Sequence, residues 1–122
     1  MNAPLLFDPS TLAMLLELED GNDPSEVQSI VEQFREDAAG IFSKLATAIA
    51  TNDLAATAAQ AHSLKGGTSQ LGMLQLAEIA GQIEDNARNQ HPEPLVSLLD
   101  SAQASYRVSM TALDAFLAAP RG

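Results

Sequence analysis

The apolar residues of one long segment recur at the spacing of a helix face. Between positions 27 and 49 they follow one another at steps of one, three and four residues, which is the pattern of an amphipathic helix: Val27, Ile30, Val31, Phe34, Ala38, Ile41, Phe42, Leu45 and Ile49. A helix of this length is stable in water chiefly when other elements cover its apolar face. The segment therefore predicts a protein built from packed helices.

Turn signals divide the remainder of the chain into further helices. A short first helix is predicted to begin with Asp8 as N-cap and Pro9 as first helical residue, and to run to about Glu19. It is apolar almost all round, so it must be covered on more than one side. Such a helix can pack on a bundle and still offer Met14 or Leu18 to a partner, but burial is the favoured interpretation.

Capping and turn residues predict the ends of the longer helices. Residues 23–26 carry the capping-box pattern of a second helix start. Asn52 is predicted to cap the third helix, and Gly72 to end it in the left-handed conformation that glycine adopts without penalty. The fourth helix is predicted to begin near Met73, and residues 89–94 to separate it from the last.

No segment alternates between apolar and polar residues as a strand does. Four long helices joined by short turns predict an all-α fold, an up-and-down antiparallel four-helix bundle with a short additional N-terminal helix that caps one end. A length of 122 residues, of which 46% are hydrophobic, fits a single helical domain spanning residues 1–122.

Charge and cysteine content argue against several classes of function. The 16 acidic residues outnumber the 6 basic ones and give a net charge of −10, which repels nucleic acid and anionic membranes, so we expect neither as a partner. Cysteine is absent from the sequence, which excludes disulfides, thiolate metal sites and a cysteine nucleophile. The first residues do not resemble a signal peptide, and no apolar run could span a bilayer, so we expect a cytoplasmic location.

The stretch from His62 to Gly67 stands out within the predicted third helix. Gly66 and Gly67 each cost a helix interior roughly 1 kcal/mol relative to alanine. Apart from Lys65, the residues three, four or seven positions from His62 are all small: Ala55, Ala58, Ala59, Gly66 and Ser69. Access of a partner to the imidazole explains this pattern most simply. A half-exposed surface histidine, with glycines that let helices pack closely and a merely solvated Lys65, is the alternative.

The sequence His62-Ser63-Leu64-Lys65-Gly66-Gly67, followed by Leu71-Gly72, resembles the signature of histidine phosphotransfer (HPt) domains. These domains shuttle phosphoryl groups between receiver domains of bacterial phosphorelays. The resemblance implies that His62 is the phosphorylated residue, that Lys65 lies near the phosphoryl group, and that Gly66 opens the imidazole to the partner. It also implies that Glu84, 22 positions after the histidine, orients the ring.

Glu84 lies at the edge of the apolar stripe of the fourth helix. An acid at such an edge either faces water or reaches a polar partner, because an unpaired buried carboxylate is costly. His62 lies ten residues before the predicted turn at Gly72 and Glu84 twelve after it, so antiparallel helices would place the two at similar heights. Side-chain direction stays open, and without the resemblance the water-facing interpretation is favoured.

Neither histidine is preceded by the Glu-x-x-His pattern of a di-iron bundle, because Ala59 and Arg88 occupy the required positions. His91 lies in a proline-bounded turn and is interpreted as a helix-start or solvated residue. The glycine pair lacks the spacing of a nucleotide-binding loop. We therefore expect no bound cofactor, and Mg²⁺ only on a partner receiver domain.

Three hypotheses remain. In the favoured one, the chain is a phosphocarrier without kinase activity of its own: a neutral imidazole nitrogen of His62 attacks a phosphoaspartate of a response-regulator receiver and passes the group to another receiver. One receiver could belong to a hybrid histidine kinase. In the second, a non-catalytic helical module docks on a receiver or kinase and inhibits it. In the third, the chain is a purely structural bundle.

Overall fold

The computed structural model describes residues 5–18 and 25–119. All regular elements in these ranges are helices: α1 (Ser10–Leu18), α2 (Ser25–Ala50), α3 (Leu54–Gln70), α4 (Leu74–Arg88) and α5 (Leu95–Ala118). Helix α3 packs between α2 and α4, and α5 packs against α4 and α2, which closes a ring of four helices. The predicted all-α class and helical bundle are confirmed.

One hydrophobic core lies inside this ring and draws on all five helices. In α3, Ala61 and Leu64 have no exposed surface, and Leu76, Ile83 and Leu113 complete the surrounding wall. Burial of a leucine or isoleucine side chain contributes about 1.5–3 kcal/mol. This burial fixes which side of α3 faces inward, and so fixes which side chains of the helix face solvent.

Helix α1 covers the end of the bundle at the connection between α3 and α4. The Asp8 backbone N–H donates to the Gly72 carbonyl at 2.7 Å, and Leu12 is fully buried. Asp8 Oδ1 accepts from the Ser10 N–H at 2.9 Å, as expected of the predicted N-cap. The expected burial of Met14 and Leu18 is wrong, because these residues are 57% and 78% exposed.

Gly72 has the left-handed conformation predicted for it, with φ of 78°. The residue cannot be larger, since a Cβ there would collide with the Asp8 carbonyl oxygen. The cap predicted at Asn52 is wrong by one residue: Asp53 Oδ1 accepts from the Ala56 N–H at 3.0 Å. Asn52 instead has φ of 56° after the last turn of α2, a conformation that asparagine tolerates better than most residues.

The predicted end of α1 at Glu19 and the start signal at residues 23 and 24 lie outside the described residues. Helix α4 begins after Met73 as predicted. Within residues 5–18 and 25–119, no helix combines the length and the hydrophobicity that a membrane span requires.

Candidate functional site

His62 lies on the outer surface of α3, where its side chain is 69% exposed. The buried residues Ala61 and Leu64 anchor the inner side of the helix on either side of it. Successive helical residues are turned by about 100°, so His62 points away from the core on the side nearer α4. The histidine singled out by the sequence is therefore accessible to another molecule.

Glu84 of α4 meets the His62 ring. Its Oε2 lies 3.1 Å from His62 Nδ1, and its side chain is only 9% exposed. The predicted contact is confirmed, and the interpretation of Glu84 as a water-facing acid is wrong. The antiparallel arrangement of α3 and α4 brings these residues together although 22 positions separate them.

Arg88 also binds Glu84, from one turn further along α4. Its Nε and Nη2 donate to the same oxygen, Oε2, at 2.9 and 2.7 Å. The sequence did not predict Arg88 as part of the site. An acid followed four positions later by a base on one helix is the signal that could have found it, since such pairs face each other.

The Glu84 carboxyl group is held in its ionised form. Burial alone would raise its pKa, but the hydrogen bonds from Arg88 and His62 outweigh burial and hold the pKa below the ordinary value. An ionised carboxylate can only accept hydrogen bonds, so a neutral His62 ring must carry its proton on Nδ1. The lone pair is then on Nε2, to which no described residue is hydrogen-bonded.

Lys65 is exposed one turn after His62. Its stem lies over Gly81 of α4, with Cδ and Cε 3.8 and 3.9 Å from the position a Cβ would take there. No residue in the described ranges forms an ion pair with its ammonium group. The cation is therefore free to meet a partner, and whether it does so stays a prediction.

The space above Gly66 is open. A Cβ at this position would have no heavy atom within 4 Å apart from its adjacent residues and its own helix backbone. Ala59 and Ser69, also predicted to line the approach to the ring, are exposed as well. Small residues thus lie on the solvent side of α3 at the turns before and after His62.

Two other residues predicted for this surface have a different environment. A Cβ at Gly67 would lie 3.3 Å from the Phe34 ring of α2, so this glycine allows α2 and α3 to pack closely. Ala58 is only 8% exposed and contributes to packing. Both residues therefore contribute to helix packing, and each also lines a surface hollow, so their part in docking stays a prediction.

The site consists of an exposed histidine, a buried carboxylate and two cations on adjacent helices of the bundle. The described residues contain no group of three or more histidine, aspartate or glutamate side chains that could hold a metal ion. An imidazole with a free Nε2 beside an unpaired ammonium is suited to nucleophilic chemistry on an anionic group.

The model of the Hpt domain matches residues 29–119, a range that contains His62, Lys65, Glu84 and Arg88. The match covers most of the chain, and the protein belongs to the Hpt domain family. Members of this family are histidine phosphotransfer proteins of phosphorelays in two-component signalling.

Two solved structures have the same fold. One is the histidine-containing phosphotransfer protein B of Pseudomonas aeruginosa PAO1, with a TM-score of 0.84 and 24% identity over 98% of this chain and 100% of the other. The second is the histidine-containing phosphotransfer protein MtHPt2 of Medicago truncatula, with a TM-score of 0.78 and 20% identity over 92% of this chain and 76% of the other. No curated protein has a significant match to the sequence.

Proposed function

We propose that the chain accepts a phosphoryl group on His62 from the phosphoaspartate of a response-regulator receiver and passes it to the aspartate of another receiver. The observation that carries the proposal is the His62–Glu84 contact: it occupies Nδ1 and leaves Nε2 free on an exposed ring. Membership of the Hpt domain family supports partners within a phosphorelay.

In the transfer step the Nε2 lone pair attacks the phosphorus atom of the acyl phosphate. The N–P bond forms as the P–O bond to the receiver aspartate breaks, and that carboxylate leaves with the electron pair. Since Nδ1 keeps its proton, the ring becomes positively charged and needs no base. Glu84 already accepts a hydrogen bond from Nδ1 of the neutral ring. This hydrogen bond becomes stronger once the ring is positively charged, so Glu84 stabilises the phosphorylated ring more than the neutral one.

Lys65 supplies charge on the other side of the reaction. Its unpaired ammonium group is one helical turn from His62, within reach of the oxygens of a phosphoryl group on Nε2. Phosphoryl transfer depends mainly on in-line positioning and charge compensation. Mg²⁺ would come with the receiver, as part of the partner's own phosphorylation site.

A cytoplasmic location of the protein stays a prediction.

The open surface around Gly66 supports direct contact between the two proteins. The phosphorus atom of a receiver phosphoaspartate must approach within bonding distance of Nε2, which requires α3 to lie against the partner with no large side chain between them. Gly66, Ala59 and Ser69 present small side chains on that surface. The reverse transfer, from phosphorylated His62 to a second receiver, would use the same surface.

The proposal is tested by incubating the protein with a panel of purified receiver domains phosphorylated by a small radiolabelled phosphodonor. We expect label to move to this chain in an acid-labile, base-stable bond. His62→Gln should remain unlabelled, whereas His91→Gln, which changes the other histidine, should be labelled like the wild type. Absence of label from the wild type with every receiver, or equal labelling of His62→Gln, would contradict the proposal.

A different result would favour the inhibitory module. If the chain bound a receiver or a histidine kinase and lowered its phosphorylation equally well with His62→Gln, the histidine would have no part in its activity. The same receivers and a kinase autophosphorylation assay measure this directly. Transfer that depends on His62 would separate the carrier from the inhibitor.

A further inference from the structure

We infer that Arg88 is a positioning residue for phosphoryl transfer, which holds the Glu84 carboxylate in the one orientation that fixes the His62 ring and its tautomer. This inference rests on the proposed function, since it concerns the same histidine. Arg88 lies outside the stretch from His62 to Gly67, and its part follows from the geometry of α4.

Three donors converge on a single atom. Glu84 Oε2 accepts from Arg88 Nη2 at 2.7 Å, from Arg88 Nε at 2.9 Å and from His62 Nδ1 at 3.1 Å. The two contacts from Arg88 are the shorter ones, and both are charge-assisted. The position of Oε2 is therefore set mainly by Arg88, and the histidine ring is aligned to an acceptor that is already in place.

The arginine and the glutamate form a unit within one helix. They are four residues apart on α4, so the pair is complete without any contribution from α3. The guanidinium is a rigid planar fork, and with two of its N–H groups on one oxygen it restricts rotation of the carboxylate. A glutamate without this fork could turn Oε2 away from the ring or exchange its two oxygens.

The burial of the three side chains argues against a purely structural ion pair. Glu84 is 9% exposed, whereas Arg88 is 59% exposed and His62 69%. The core would be served equally well by an apolar residue at position 84, since replacing a buried ion pair by apolar groups is often neutral or stabilising. An ionised Glu84 paired with Arg88 is explained by its effect on His62, whose ring orientation and tautomer it fixes.

Arg88 also has the position of a docking residue. Arg88 lines a surface hollow together with Leu54, Ala55 and Gln90, on the side of α3 that precedes His62. An exposed arginine beside such a hollow could instead contact the receiver directly. The two roles differ in one respect: a positioning residue acts only through Glu84, and a docking residue acts whether or not Glu84 is present.

The test is a double-mutant cycle on the rate of transfer from a phosphorylated receiver. Arg88→Gln should slow transfer roughly three- to tenfold, which is less than the direct loss of a hydrogen bond to a charged group would give, because Arg88 acts only through Glu84. Glu84→Ala, which removes the acceptor that both Arg88 and His62 bind, combined with Arg88→Gln should be no slower than Glu84→Ala alone. Losses that multiply in the double variant would show that Arg88 acts independently of Glu84, and would overturn the inference.

Two further variants sharpen the result. Arg88→Lys should recover part of the rate, because an ammonium group can still make one hydrogen bond to Oε2. Arg107→Gln, which removes an exposed arginine from α5, should transfer at the wild-type rate. Circular dichroism of every variant should match the wild type, since Arg88 is mostly exposed and lies in the last turn of its helix.

The tautomer of His62 is measured separately by the ring ¹⁵N chemical shifts, without any receiver. The wild type should have its neutral ring proton on Nδ1, and Arg88→Gln should have a mixture of the two tautomers. An unchanged tautomer in Arg88→Gln would overturn the inference, whatever its transfer rate. Failure of the wild type to accept phosphate would contradict the proposed function alone, because the tautomer measurement would still test Arg88.

Discussion

The stem of Lys65 lies across the α-carbon of Gly81, on the helix that also carries Glu84. Its Cδ and Cε are at ordinary van der Waals distance, 3.8 and 3.9 Å, from the position a Cβ would take at Gly81. Because Gly81 has no side chain, the stem of Lys65 can pack directly on the surface of α4, although its ammonium group has no ion-pair partner in the described residues. The position of the cation therefore depends on a residue that has no charge and no functional group.

Gly81 offers a way to move Lys65 without removing it. Gly81→Leu should displace the lysine stem and slow transfer to His62 by an amount approaching that of Lys65→Ala, roughly ten- to a hundredfold. Gly81→Ala is the matched control, because its Cβ would make an ordinary contact and the helix would gain up to about 1 kcal/mol. Transfer kinetics of the three variants decide the matter, and a Gly81→Leu protein as fast as the wild type would leave Lys65 a solvated lysine.

Gly66 and Gly67 should respond in opposite ways to a larger side chain. Gly66→Gln raises helix propensity and places its Cβ in open space, so the free energy of unfolding should be kept or increased while transfer falls sharply. Gly67→Gln would press on the Phe34 ring and should lower the free energy of unfolding by about 1–3 kcal/mol. Urea denaturation and transfer rates are measured on both variants. Unimpaired transfer in Gly66→Gln would contradict the role of open space above the ring.

The lowered pKa of Glu84 predicts a pH dependence of stability. A group whose pKa is lower in the folded state stabilises the fold above its unfolded pKa, ordinarily 4.5 for glutamate, and loses this contribution as the pH falls through the folded value. The wild type should therefore lose more stability than Glu84→Gln as the pH falls from 7 toward 3. Urea denaturation across this range measures the difference, and parallel curves would mean that the contacts of Glu84 do not stabilise its ionised form.

Among the glycines of the described residues, Gly72 should be the least replaceable. Gly72→Ala must place a Cβ at positive φ and against the Asp8 carbonyl, so it should destabilise the protein by at least the roughly 1–2 kcal/mol of the left-handed conformation. Gly40→Ala is the control: it is helical, has open space around it, and should stabilise by up to about 1 kcal/mol. Thermal unfolding of both variants checks the prediction, which fails if they unfold alike.

The sequence predicts the helices well because each must bury one stripe of its surface. Residues 27–49 have a spacing that only a helix can turn toward one side, and they lie in α2 as expected. The predicted N-cap of α3 was wrong because two adjacent residues could cap the helix at similar energy. Asn52 and Asp53 are both good N-cap residues, and only the path of the chain decides that Asp53 caps α3 while Asn52 takes the left-handed position.

The sequence predicts those features of the candidate site that depend only on how far each residue lies from the turn between α3 and α4. Counting from the turn at Gly72 puts His62 and Glu84 opposite each other, and they are in contact. Side-chain direction does not follow from counting, so the sequence left open whether Glu84 faces water. The different surroundings of Gly66 and Gly67 depend on where α2 lies, which no local pattern of α3 contains.

The short connection between α3 and α4 determines how the two helices of the site are aligned along their axes. Its backbone is held on both sides, by the hydrogen bond from Met73 to Thr68 within the turn and by the hydrogen bond from Asp8 outside it. A slip of one helical turn between α3 and α4 would carry His62 about 5.4 Å away from Glu84 and Arg88. The contact between His62 and Glu84 thus depends on Gly72, which lies about 15 Å along α3 from the histidine and sets the alignment of the two helices.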